Sequence, residues 1–477
     1  MRTQITEKSR RFLFVVVEGG GTVPPELGLA GQLVERGHTV RVLADPCIEA
    51  DARAAGCDFV PFVHAPHRIN RLPDTALIRD WEIHNPIELL SQTRKLIFGQ
   101  ARAYAQDVLD DLERAPADVL ATEAVLFGAI AAAEKVRVPT ALLMPNIYMF
   151  PAPGLPAFGP GFLPARGPLG RLRDAALGKL FMHMLALGLP ELNAARAQLG
   201  LDPLGHPFEQ FERADRLLVM TSQAFDFPAH VLPPNVRYVG PQLDAPAWAQ
   251  PWESPWPVNH PLPLVVVGFS STFQNQRPIL QKVIDALGEL PVRGLATLGP
   301  GLDGAQFRCP PNVVVRPSVP HATVFAEAAA VITHAGHGTV IRALAHGVPL
   351  ICLPMGRDQN DNAARVVARG AGIRLSTKTS VSALQQAIRR MLEEPEFRIN
   401  ARLLAIAIAT DVRRQSAVAE LEELAMHRSR TKGSGAASRQ EKLPPRDRLG
   451  VPHPGAGPLD RSRAGRAAPG HTGFCRD

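Results

Sequence analysis

The stretch AVITHAGHGTVIRALAHGVPLICLPMGRDQNDNAAR, residues 330–365, decides the fold. Its apolar runs at 330–333 and 348–353 read as two buried strands. Between them, 340–346 has the spacing and alanine content of a short helix. Strand, turn, helix and strand in that order make a parallel crossover unit. Open parallel sheets bind ligands outside the carboxyl ends of their strands. Two polar clusters fall at such ends: His334-Ala335-Gly336-His337-Gly338-Thr339 and Gly356-Arg357-Asp358-Gln359-Asn360.

The first cluster has the chemistry of an anion cradle. Gly336 and Gly338 lack a Cβ, so the turn can bend sharply and bring backbone N–H groups close to a ligand. Those groups and the Thr339 hydroxyl stand at a helix start, where unsatisfied donors and the helix dipole favour negative charge. His334 and His337 add donors that can be neutral or charged near pH 7. A diphosphate meets this description. Asp358 and Gln359 offer acceptors and an amide donor, which suits several hydroxyls at once. A phosphate cradle beside a hydroxyl reader suggests a nucleotide sugar. Singly, each residue has a plainer use: the glycines as a simple turn, His334 as a core histidine, Asp358 as the N-cap of a helix over 359–369.

The order H-x-G-H-G-T, then G-V-P-x-x-x-x-P, then D-Q-x-x-N resembles the C-terminal signature of the family 1 glycosyltransferases. That family includes bacterial antibiotic and macrolide glycosyltransferases and plant enzymes that act on small lipophilic molecules. The resemblance is specific over 331–362 and extends in layout over about 11–425. It implies that His334, Gly336, His337, Gly338 and Thr339 hold the donor diphosphate, and that Asp358 and Gln359 hold the sugar hydroxyls. Ser271 and Thr272, in the polar turn after a strand at 264–269, and Val319 complete the expected donor set. The resemblance also implies inversion at the anomeric carbon and a metal-free site with no cofactor beyond the nucleotide-sugar co-substrate. Consistently, the chain contains no Asp-x-Asp, the carboxylate pair with which metal-dependent sugar transferases hold a cation.

A chain of 477 residues, 45% hydrophobic and 20% charged, is a globular protein of two or three domains. Its pI of about 9.4 hints at nucleic acid, but the charge is local. Residues 428–477 carry 11 Lys and Arg against 4 Asp and Glu, and the remainder balances at 41 of each. This Gly-, Pro-, Ser- and Arg-rich tail is expected to be disordered. It could touch acidic lipids or nucleic acid, but a neutral extension is the plainer reading, and no nucleic-acid partner is expected. Five scattered cysteines without metal spacing make no disulfide framework, so a reducing cytoplasm is the default. Neither a leader pattern nor an apolar run of membrane-spanning length is present, so no stable membrane insertion is expected.

Two α/β halves are visible. Strands are expected at 12–17, 39–43, 58–62, 119–122, 140–143, 216–220 and 237–239. Helices are expected at about 25–36 and over a long region at 87–114. Proline saturates 241–263, which reads as a linker. The fold class is therefore α/β: two Rossmann-like doubly wound parallel-sheet domains facing across a cleft, the GT-B arrangement. Residues 1–240 form the acceptor-binding half and 264–427 the donor-binding half. A last helix over about 396–426 is long enough to return across to the first half.

Two positions depart from the family pattern. In the turn Gly19-Gly20-Gly21-Thr22-Val23-Pro24-Pro25, Thr22 stands where the family places its catalytic histidine. The aspartate that orients that histidine falls at Glu123, which becomes the candidate base, acting directly or through water. His64 is a weaker candidate, with Glu18 and His67 also near strand ends. Arg342 replaces a glutamate that accepts from ribose hydroxyls in enzymes using uridine diphosphate sugars; an arginine cannot accept. The donor thus stays open between UDP- and dTDP-sugars. For the acceptor, the aromatic, proline-rich loop at 144–168 and the helix over 177–189, read as buried or pocket-lining, nominate Met144, Phe158, Phe162 and Phe181. The expected acceptor is a small lipophilic molecule such as a polyketide, terpenoid, flavonoid or lipid. A catalytically silent nucleotide-sugar-binding partner protein and a nucleotide-sugar epimerase are the alternatives.

Overall fold

Among the described residues, short β-branched and leucine-rich runs, each too brief for a helix and bounded by turns, build thirteen parallel strands. In this computed structural model, residues 9–83, 85–243, 252–257, 259–270, 272–299 and 302–433 are described. The first sheet contains β1 (Arg11–Val16), β2 (Thr39–Ala44), β3 (Asp58–Pro61), β4 (Val119–Glu123), β5 (Thr140–Met144), β6 (Arg216–Val219) and β7 (Val236–Tyr238). Its order is β3-β2-β1-β4-β5-β6-β7. The second contains β8 (Leu264–Gly268), β9 (Arg293–Thr297), β10 (Val313–Arg316), β11 (Ala328–Thr333), β12 (Leu350–Cys352) and β13 (Gly372–Arg374). Its order is β10-β9-β8-β11-β12-β13. Every residue of β4, β5, β8 and β12 is buried, as strands covered on both faces must be.

Strand order reverses between β1 and β4 in the first sheet and between β8 and β11 in the second. Such switch points open the crevice where α/β sheets bind ligands. The glycine turn follows β1, Glu123 ends β4, Phe269 follows β8 and His334 follows β11. The topology therefore sends the sequence-derived site residues to two facing crevices.

Helices differ from expectation at three places. The region over 87–114 is two helices, Pro86–Ile97 and Ala101–Arg114, because the chain breaks to bury Phe98 in a stack on Phe127 with ring centroids 4.6 Å apart. The last helix is also two, Pro395–Arg413 and Ser416–Gly433, turning at Gln415 with φ +47°. The second of these returns to the first half. It places Val418, Leu421 and Leu424 in the core under β1 and pairs Glu420 with Arg216 and Glu422 with Arg36. The segment over 177–189, expected to be buried or pocket-lining, falls mostly in the helix Pro168–Ala186, which has no buried residue: Leu180 is exposed, while Phe181 and Leu185 cover the core beneath. No single helix among the described residues is long and apolar enough to cross a membrane. Within the linker, Trp252 and Trp256 pack on the second half; residues 244–251, 258 and 434–477 lie outside the described residues.

The two halves are pinned by a buried ion pair. Arg365 Nε lies 2.6 Å from Asp226 Oδ1, with side chains 4% and 1% exposed. Asp226 Oδ2 accepts further bonds from the Tyr148 backbone N–H and the Tyr238 hydroxyl, and the Arg365 guanidinium lies 4.3 Å over the Phe227 ring. Removing one partner of such a pair strands a buried charge, which costs about 3–5 kcal/mol. Asp226→Ala should therefore lower stability by about that amount in urea unfolding, and an apolar replacement of both partners should recover part of the loss. An unchanged unfolding midpoint in Asp226→Ala would contradict this role.

Candidate active site

The donor residues read from the sequence converge. Thr272, Val319, His334, Gly336, His337, Gly338, Thr339, Asp358 and Gln359 line one cavity of about 170 Å³ between the halves. Ser271 lies outside the described residues. The glycines, however, serve close approach rather than sharp bending. The left-handed backbone in this turn falls on Ala335, with φ +70°, whereas Gly336 has φ −62°. A Cβ on Gly336 would lie 2.4 Å from His334 Nε2, and one on Gly338 would lie 3.0 Å from an Arg342 guanidinium nitrogen. Gly336 needs to be glycine because the His334 ring occupies the space, whereas at Gly338 the neighbour is the flexible end of Arg342.

Burial pushes the His334 and His337 imidazoles down to about 4, so both rings are neutral at pH 7. They offer hydrogen bonds, not charge. His337 Nε2 is 2.9 Å from Thr221 Oγ1 of the first half. Positive charge reaches the cavity from Arg342 and Arg357 instead. Arg342 donates to the Gly338 carbonyl at 3.1 Å. Arg357 donates to both Asp80 oxygens at 2.7 and 3.0 Å and to Thr272 Oγ1 at 2.8 Å.

Asp358 stands at the helix cap position before Gln359–Ala368, yet its side chain caps nothing. Oδ2 instead accepts from Asn146 Nδ2 of the first half and from Asn362 Nδ2, at 2.8 and 2.7 Å. Burial raises its pKa, with those amides opposing. Gln359 accepts from the Met355 N–H and donates to Gln274 Oε1, which fixes its amide. Asn146, Arg357, His321 and the glycine turn 19–21 also line this cavity and were not read from the sequence as donor contacts. Asn146 and the glycine turn each follow a strand of the first sheet, which was the available signal.

On the acceptor side, Thr22 Oγ1 donates to Glu123 Oε1 at 3.0 Å. Thr22 lines the donor cavity, whereas Glu123 sits behind it, 8% exposed. Burial, opposed by the Thr22 bond and assisted by the Asp45 and Glu18 charges, pushes the Glu123 carboxyl up to about 7. Below it Glu26 is fully buried, and burial with the neighbouring Glu123 holds its pKa well above the carboxylate range. His64 is elsewhere. Its half-exposed ring pairs with Asp110 at 3.1 Å in a surface hollow shared with Arg114, because the loop after β3 carries it outward. Glu18 is committed to Arg71 and the Gly20 N–H, and His67 to the Ala65 carbonyl.

A second cavity, of about 260 Å³, adjoins the first. Leu77, Ile78, Trp81, Leu96, Ile97, Leu126 and Phe273 give it apolar walls, and Arg68, Arg71, Asp45 and Glu18 one polar side. Trp81 and Phe273, from opposite halves, meet edge to face at 5.2 Å. Gly19, Thr272 and Arg357 belong to the walls of both cavities. The four residues nominated for the acceptor line neither. Met144 is buried at the end of β5, and Phe158 packs into the core of the second half, where the Gly159 N–H donates to Asp361. Phe162 lies under the Arg173 guanidinium, and Phe181 packs on the first half's core. Their loop is a strap between the halves, and its aromatic residues are spent on packing.

Residues 281–424 match the erythromycin biosynthesis protein CIII-like C-terminal domain. The 4'-demethylrebeccamycin synthase of Lentzea aerocolonigenes is 30% identical over 403 residues, covering 82% of this chain and 94% of that protein. Among solved structures, the calicheamicin glycosyltransferase aligns with a TM-score of 0.70 at 22% identity, over 88% of this chain and 98% of its own. The glycosyltransferase VinC in complex with dTDP aligns with a TM-score of 0.61 at 18% identity, over 87% of this chain and all of its own. With its two facing parallel sheets and a donor cradle in the crevice between them, the chain belongs to the GT-B natural-product glycosyltransferases that use nucleotide-sugar donors.

Proposed function

We propose that this enzyme moves a sugar from a dTDP- or UDP-sugar to a hydroxyl of a small lipophilic acceptor, with inversion and without a metal ion. One observation carries the reading: the cavity lined by the donor residues and the second cavity share the wall at Gly19, Thr272 and Arg357, beside Thr22. A sugar held by Asp358 and Gln359 at that junction would meet an acceptor hydroxyl presented from the apolar side. Backbone N–H groups at the start of the helix His337–Ala345 and the Thr339 hydroxyl can donate to the diphosphate, and Arg342 and Arg357 can balance the charge that grows as it departs. Two points favour dTDP over UDP. Arg342 stands where a ribose-accepting glutamate is expected, and a deoxyribose has one fewer hydroxyl to satisfy. VinC, of the same fold, is complexed with dTDP.

The transfer reading is tested with dTDP- and UDP-glucose against a panel of polyketide, flavonoid and terpenoid alcohols, scored by mass spectrometry. Glycosides of these acceptors are expected; transfer to hydrophilic sugars alone would overturn the acceptor class. A nucleotide at 100 times its Kd stabilises the folded state by about 2.7 kcal/mol. In a thermal-shift series at equal concentration, dTDP should raise Tm more than UDP, and the reverse order would contradict the donor preference. His334→Ala and Asp358→Ala should each lower kcat/KM by about 10²–10³-fold with Tm nearly kept, the scale of losing one positioned donor. Full activity in either variant would remove that residue from the site.

A further inference from the structure

Thr22 occupies the N-cap position of the helix Val23–Glu35, where a threonine hydroxyl ordinarily accepts from the second or third backbone N–H. Those residues are Pro24 and Pro25, which have no N–H. The side chain makes no capping bond, and its hydroxyl is directed to Glu123. Gly19 leaves room for this. A Cβ there would lie 2.6 Å from Thr22 Oγ1, although the Gly19 backbone does not need glycine for its φ.

Behind Glu123 lies a carboxyl with an unusual environment. Glu26 is fully buried, and among the described residues neither of its oxygens meets a donor group. The side chain it meets is Glu123. Two carboxylates can bond to one another only when one of them holds a proton. An ionised Glu26 without a donor would be costly in this position, whereas a protonated one donates to Glu123 and satisfies both.

We infer that Thr22 relays the acceptor's proton to Glu123, and that Glu26, held protonated, is a positioning residue that directs the Glu123 carboxylate at Thr22. The inference rests on the transfer reading above. In the step, the acceptor oxygen bonds to the anomeric carbon as the bond from that carbon to the β-phosphate oxygen breaks. The electron pair leaves on the nucleoside diphosphate. The acceptor's O–H proton passes to Thr22 Oγ while Thr22's own proton passes to Glu123 Oε1. Threonine therefore ends neutral and never has to be a base. Glu123 returns its proton to water when product leaves.

The groups facing Glu123 are Glu26 and Thr22 from the first helix, Glu18 after β1, Asp45 after β2 and the Tyr104 phenol from Ala101–Arg114. The acidic neighbours and burial hold Glu123 up to about 7. Because the working form is the carboxylate, kcat/KM should rise with pH through about 7 and level off above it.

The test is steady-state kinetics across pH on the full-length enzyme. Thr22→Val, which keeps shape but removes the hydroxyl, should lower kcat about 10²–10³-fold with donor KM and Tm little changed, and Thr22→Ser should restore most of it. Glu123→Gln should fall as far, and the double variant no further, since the two act as one unit. Glu26→Gln keeps a neutral donor and should stay within a few fold of wild type. Glu26→Leu should lower kcat and move the acidic limb upward. Full activity of Thr22→Val beside an inactive Glu123→Gln would overturn the relay, as would an unimpaired Glu123→Gln. An unmoved limb in Glu26→Leu would reduce Glu26 to packing. A wild type that makes no glycoside would instead sink the transfer reading itself, and the relay with it.

Discussion

The pairing of Asp226 with Arg365 is the constraint on which the site depends. A buried ion pair by itself is weak evidence of stability, because desolvation offsets much of the attraction. This one also accepts from a tyrosine hydroxyl and a backbone N–H and lies against the Phe227 ring, so its polar groups are satisfied. It fixes the helix Gln359–Ala368 against the loop after β6 and thereby sets the distance across the crevice. Asn146 can then reach Asp358, and Thr221 can reach His337. The donor cradle is carried by the second half but completed by the first. Neither half alone has the geometry.

Burial then decides the charge states. The crevice holds its histidines neutral and its carboxyls, Glu123 and Asp358, above their usual range. A site built this way supplies donors and acceptors without paying for fixed charge, and leaves Arg342 and Arg357 to meet an anion. Arg357 is held with φ +55°, uncommon for a residue other than glycine. Its links to Asp80 and Thr272 place it where both cavities meet, so the arginine facing the donor also closes the acceptor side.

Much of the fold was legible because parallel strands buried on both faces are written as continuous apolar runs, as in β8 and in Phe12–Val16 of β1. The donor cluster was legible for a related reason: most of its members lie within 334–359, on consecutive strand ends. The glycines were recognised but their purpose was misjudged, since nothing in a sequence tells that the space beside Gly336 is filled by its own neighbour His334. The second cavity was not legible. It is assembled from residues near 17–19, 68–81, 96–97, 125–126 and 272–273, brought together by topology alone. The aromatic loop at 144–168 suggests a pocket lining, but its rings pack against the protein instead. Phe158 faces the other half's core, and Phe162 faces an arginine. Glu26 falls inside the expected helix at 25–36 and nothing in the sequence sets it apart; its meaning comes from the facing Glu123.

In the proposed transfer, a diphosphate held at His334–Thr339 and a proton acceptor at Thr22 and Glu123 flank the sugar on opposite sides, so that attack and departure are in line. The anomeric configuration of the product measures this most directly, by the one-bond and vicinal couplings of the anomeric proton in NMR of a glycoside made from an α-configured dTDP-sugar. A β-glycoside is the predicted result. An α-glycoside, with configuration retained, would contradict the arrangement.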